Sequence, residues 1–78
     1  MSTTYNEVLE ILEKLVPGQD IAHNQDLVGS GVLDSMTSIM LVSELEDHFA
    51  IDVTPLDMVP EIFSSAEVLA GFVDRKLS

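Results

Sequence analysis

Three runs of apolar residues at three-and-four spacing, each opened by a Ser, Thr or Asp, constrain the fold of this 78-residue chain more than any other feature. In the first, Thr4-Tyr5-Asn6-Glu7 has the spacing of a capping box. Tyr5, Val8, Leu9, Leu12, Leu15 and Val16 then follow on one helical face, with Glu7, Glu10, Glu13 and Lys14 on the other. Pro17-Gly18 ends the run, because Pro disfavours helical geometry in the residue before it and Gly tolerates positive φ. The second run extends from Ser35 or Met36 to Phe49, with Asp34 as its cap and Ser38, Leu41, Val42, Leu45 and Phe49 as an inward stripe. The third opens on Ser64-Ser65-Ala66-Glu67, again a capping-box spacing, and takes its apolar face from Val68, Leu69, Phe72, Val73 and Leu77, weakened at Gly71.

The connections are just as restrictive. Ala50-Ile51-Asp52-Val53 alternates weakly like a strand, yet no partner strand exists elsewhere, so it reads as an extended linker. Thr54-Pro55-Leu56-Asp57 predicts one short helical turn, with Pro at its first position and an acid at its third, which Pro60 must end or kink. Residues 17–33 have no sustained period, and loops this long are uncommon in compact domains unless they pack or carry a site. Both are expected here, with Ile21, Leu27, Val28, Val32 and Leu33 packing inward. The expected fold is all-α: one domain over residues 1–78, three main helices plus one short helix around a single small core.

Charge and composition narrow the function. Fourteen acids against three bases (Lys14, Arg75 and Lys76) give a net charge of −11, which repels phosphate backbones and anionic lipids, so nucleic acid is excluded as a partner class. The hydrophobic fraction of 46% is too high for an acidic disordered chain. No run approaches the roughly 18 apolar residues of a membrane span, and Met1-Ser2-Thr3-Thr4 lacks the basic start of a signal peptide, so a cytoplasmic monomer without stable membrane insertion is expected. There is no cysteine, so the chain offers neither a thiol nucleophile nor a thiolate metal site; any reactive thiol must be imported. His23, a lone histidine in the loop, lacks the second ligand that a metal site needs and reads as a surface residue, so no metal is expected.

Ser35 is the residue left to explain. Asp34 already supplies the helix cap, which leaves the serine hydroxyl redundant and pointing outward. Nucleophilic catalysis would require a base in reach, but His48 lies about 20 Å along the helix at 1.5 Å per residue, so no enzyme activity is expected. A phosphate ester at this position would be stabilised by the positive end of the helix dipole. Beside it, Met36, Ile39 and Met40 lie on a face neighbouring the inward stripe, either as further core or as an exposed, deformable docking patch. Glu44, Glu46 and Asp47 follow as an acidic outer face, solvated or paired with basic partner residues.

Gly31-Val32-Leu33-Asp34-Ser35-Met36, followed by Leu41, Leu45, Glu46 and Phe49, resembles the acyl carrier and peptidyl carrier proteins over nearly the whole chain. The resemblance implies a carrier, not a catalyst. Ser35 would be the attachment site for 4′-phosphopantetheine, transferred from coenzyme A by a phosphopantetheinyl transferase, with Asp34 as its motif neighbour. Acyl or aminoacyl cargo would then ride as a thioester between partners: an adenylating ligase, acyltransferases or synthases. Fatty-acid carriers of the family usually place acids two and five positions after the serine, where this chain has Thr37 and Met40. The Asp-Ser-Met form and the apolar Met36, Ile39 and Met40 look more like carriers of the D-alanyl type, so Met36, Thr37, Ile39, Met40, Glu46 and Asp47 are the candidate partner-binding residues. The segment Asp57–Phe63 departs from that type, which leaves aminoacyl and other acyl cargoes both open. The competing reading is an unmodified acidic helical adaptor that acts by protein–protein interaction alone.

Overall fold

Each of the three apolar runs is a helix in the computed structural model, which describes residues 3–78. α1 spans Thr3–Leu15, α2 Ser35–Phe49 and α3 Ala66–Leu77, and a short 3₁₀ turn occupies Pro55–Asp57. The fold is a small all-helical bundle, and no strand occurs among the described residues. α1 packs against both α2 and α3. It contributes Val8, Ile11 and Leu12 to the core, where α2 places Leu41 and Leu45, and α3 places Leu69, Phe72 and Val73 with the small Ala66 and Ala70.

The caps differ from the sequence expectation at two helices. α1 is helical from Thr3, so Thr4 lies inside it and does not open it. Glu7 reaches across to α2 instead, its carboxylate 3.0 Å from His48 Nε2. At α3 the cap is Ser65 rather than Ser64: the Ser65 hydroxyl accepts from Val68 N–H at 3.2 Å. Ser64 is otherwise engaged, its hydroxyl donating to the Glu61 carbonyl at 2.9 Å. The buried face of α3 also differs from the expected one: Val68 and Leu77 are exposed, and the small Ala66 and Ala70 are buried.

The long loop packs as expected, with Ile21, Leu27 and Leu33 buried and Val28 and Val32 half-buried. Its backbone bonds to itself and to the segment before α3: Leu33 N–H donates to Leu27 O at 2.9 Å, and Leu27 N–H to Ser64 O at 2.8 Å. Gly31 sits at φ +85°, where a side chain would be strained, and delivers the chain to Asp34. Thr54 and Asp57 behave as the turn chemistry predicts, the Asp57 carboxylate accepting from both the Thr54 N–H and hydroxyl at 3.0 Å. Residues 51–54 form no regular structure, as a linker should, after Ala50 closes α2 in the left-handed conformation at φ 55°.

Candidate functional site

Asp34 holds extended backbone geometry, and its carboxylate accepts from Thr37 N–H at 2.8 Å, which satisfies one of the open donors of the first turn of α2. That backbone donor holds the Asp34 carboxyl below its ordinary pKa. Asp34 is thus committed to the helix, and the Ser35 hydroxyl is exposed and has no hydrogen-bond partner among the described residues. Neither histidine hydrogen-bonds to it. His48 lies at the far end of α2 on Glu7, and His23 is an exposed loop residue whose Nδ1 lies 3.1 Å from Asp20 Oδ1.

A cleft of about 370 Å³ opens beside Ser35. One wall is Val28, Leu33 and the start of α2 (Asp34, Ser35, Ser38); the other is Met58, Val59, Pro60 and Phe63. Its lining is mostly apolar, with Asp34, Ser35 and Ser38 gathered on the helix side. The wall from Met58 to Phe63 is the part of the site that sequence reasoning missed. Its signal was present in Met58 and Val59, two large apolar residues beside Pro60 that a core would ordinarily cover, and both are exposed.

Around the mouth of the cleft the surface is apolar. Met36 is 73% exposed, Ile39 65% and Met40 49%, which decides between core and surface for this face of α2. Met36 and Met40 are one turn apart and Ile39 lies between them, so the three form one patch next to Ser35. Of the other candidate residues, Thr37 donates its N–H to Asp34 and Asp47 is exposed. Glu46 turns to the protein, its carboxylate accepting from Val53 N–H at 3.0 Å. Among the described residues, no cluster of His, Cys, Asp and Glu could hold a metal ion. No helix there is long and apolar enough to cross a membrane.

A helical fold that offers an exposed, unpaired hydroxyl at Ser35 beside an apolar cleft has the layout of a carrier. The chain matches the phosphopantetheine attachment site family over residues 5–73, and it belongs to that family, whose members hold 4′-phosphopantetheine as a covalently attached prosthetic group. Among curated relatives it is similar to the D-alanyl carrier protein of Lactococcus lactis subsp. cremoris strain MG1363, 33% identical over 72 residues, with 90% of this chain and 91% of the relative covered. The D-alanyl carrier protein of Lactococcus lactis subsp. lactis strain IL1403 is similar to the same extent, 33% identical over 72 residues. The residues at the start of α2 fit such a group: the Ser35 hydroxyl is exposed and unpaired, and the Asp34 carboxylate next to it is turned onto the Thr37 backbone N–H.

Proposed function

We propose that Ser35 is the attachment residue and that residues 1–78 form one stand-alone carrier domain for an acyl cargo of the aminoacyl class. The observation that carries this reading is the division of labour at the start of α2: Asp34 caps the helix, and the Ser35 hydroxyl is left unpaired beside the cleft. The prosthetic group, once attached, supplies a terminal thiol that this cysteine-free chain lacks and on which cargo is held as a thioester. Ser35 Oγ bonds to the pantetheine-side phosphorus of coenzyme A as the pyrophosphate bond breaks and adenosine 3′,5′-bisphosphate leaves, and the N-terminal end of α2 presents the positive end of its dipole to the phosphate that stays. The base that takes the serine proton belongs to the transferase, since no described residue of this chain hydrogen-bonds to the Ser35 hydroxyl. Supporting the aminoacyl class are the two D-alanyl carrier relatives and the apolar residue at position 40, where an acid would suit a fatty-acid carrier.

Met36, Thr37, Ile39 and Met40 are proposed as the surface that the transferase and an adenylating ligase share, with Asp47 at its edge. Glu46 contributes by holding the linker through Val53. The carrier acts as a monomer in the cytoplasm. The test is to incubate the purified protein with coenzyme A and a broad-range phosphopantetheinyl transferase and to record the intact mass. The wild type should gain one phosphopantetheinyl group and Ser35→Ala none; a gain that persists in Ser35→Ala overturns the assignment. The adaptor reading predicts instead that a stably folded Ser35→Ala protein complements a deletion strain as well as the wild type does.

A further inference from the structure

The cleft wall that faces Ser35 is held from the far end of the chain. Met58 and Val59 belong to no long helix; they hang from the 3₁₀ turn through Met58 N–H to Pro55 O at 3.2 Å and Val59 N–H to Asp57 O at 2.9 Å. Two further turns, Ile62 N–H to Val59 O and Phe63 N–H to Pro60 O, both 3.1 Å, carry the run to buried Phe63. Every one of these bonds spans two or three residues, so the wall is a sequence of local turns whose position depends on what anchors its ends. The rear anchor is Phe63 in the core. The front anchor is Asp57.

Asp57 gathers three donors. Besides the Thr54 N–H and hydroxyl, its Oδ2 lies 2.8 Å from Lys76 Nζ, on the last turn of α3. Lys76 reaches there over the ring of buried Phe72, with Nζ 5.6 Å from the centroid. The side chains of the pair are 29% and 20% exposed, and the three donors hold the Asp57 carboxyl down at about 2. The Lys14–Glu44 pair offers a contrast at 4.0 Å, with side chains 75% and 42% exposed, a contact of the kind that contributes little. Arg75, the neighbour of Lys76, has no partner among the described residues.

We propose that Lys76 and Asp57 are positioning residues for the group carried at Ser35: by anchoring the Met58–Phe63 wall to α3, they set the cleft that this group enters. The proposal rests on the reading of Ser35 as the attachment residue. In its test, amide exchange of the unmodified protein reports the wall by itself. An environment-sensitive fluorescent pantetheine, transferred to Ser35 from the corresponding coenzyme A analogue, reports the cleft.

Lys76→Gln and Asp57→Asn should speed amide exchange at 58–63 by about two- to fivefold, the range an ion pair of this kind supplies. They should also shift the probe emission to the red and increase its quenching by acrylamide. Lys76→Arg, which keeps the cation, should stay near the wild type, and Arg75→Gln should change neither reading. Exchange at 58–63 that is unaltered in both Lys76→Gln and Asp57→Asn overturns the anchor. Faster exchange with an unmoved emission shows that the wall does not govern the group, and also overturns the proposal. An equal response to Arg75→Gln would assign the effect to net charge and overturn it as well. Failure of the wild type to take up the probe would count against Ser35 as the attachment residue, while the exchange comparison would still decide whether the pair holds the wall.

Discussion

The two halves of α2 are built on opposite plans. From Ser35 to Met40 the helix carries no charged residue and shows solvent three large apolar side chains. From Glu44 onward three of its polar side chains meet the rest of the protein, while Asp47 is exposed: Glu44 lies 4.0 Å from Lys14 of α1, Glu46 accepts from Val53, and His48 meets Glu7 of α1. The inner residues are shared, Leu41 and Leu45 both being fully buried. One helix thus has a half that holds the fold and a half that is left for others. The acids of α2, Glu44, Glu46 and Asp47, all lie in its second half.

The sharpest way to break this comparison is to cut one residue from each side. Leu45→Ala leaves a cavity among α1, α2 and α3, and should cost about 2–5 kcal/mol in urea unfolding, a large share of the roughly 5–15 kcal/mol typical of a folded domain. Met36→Gln combined with Met40→Gln should change stability by less than about 0.5 kcal/mol, yet slow loading by the cognate ligase about tenfold or more, as loss of central interface contacts does. Equal loss of stability from both would mean that the two halves of α2 do not differ as described.

Salt separates the halves by a smaller effect. Screening shortens from about 10 Å at 0.1 M to about 3 Å at 1 M, so added sodium chloride should relieve the repulsion among 14 acids and raise the thermal midpoint. Modification by the transferase, docking on the uncharged half, should change less than about twofold over the same range. A steep fall in rate would place charged residues in the interface and contradict the apolar patch.

Acid gives the smallest and most local effect. The folded Asp34 carboxyl is held below its ordinary value of 3.8 because it accepts from Thr37 N–H. Its contribution to stability is therefore complete above 3.8 and lost as the pH falls below that value. The Thr37 amide resonance should move in that window, the Leu45 amide should not, and Asp34→Ala should abolish the titration. Asp57, held at about 2 by Lys76 and Thr54, should keep its turn intact to lower pH than Asp34 keeps its cap.

Helix periods and turn chemistry were legible in the sequence because they are local. Pro17-Gly18, Thr54-Pro55 and Asp34-Ser35 each act within a few residues, and the structure places them as that chemistry requires. Adjacent hydroxyls were harder. Ser64 and Ser65 are equally able to cap, and the choice falls to Ser65 because the Ser64 hydroxyl bonds to Glu61 and its carbonyl accepts from Leu27. Ile11 was absent from the expected stripe of α1, which faces both other helices and so buries more of its circumference than a single stripe covers. Of the site, the motif at Asp34-Ser35 was readable and its far wall was not. That wall depends on Lys76 meeting Asp57 across 19 residues, and the fold is braced by Glu7 meeting His48 across 41, separations over which no spacing rule operates.

The cap at Asp34 has a further consequence for the life of the chain. Since the helix draws no hydrogen bond from the Ser35 side chain, joining that oxygen to another group or freeing it again asks nothing of the backbone. If Ser35 carries the group as proposed, the Asp34 cap of α2 is the same before and after attachment. A partner that touched only the cap would then meet the same surface in the bare and the modified protein.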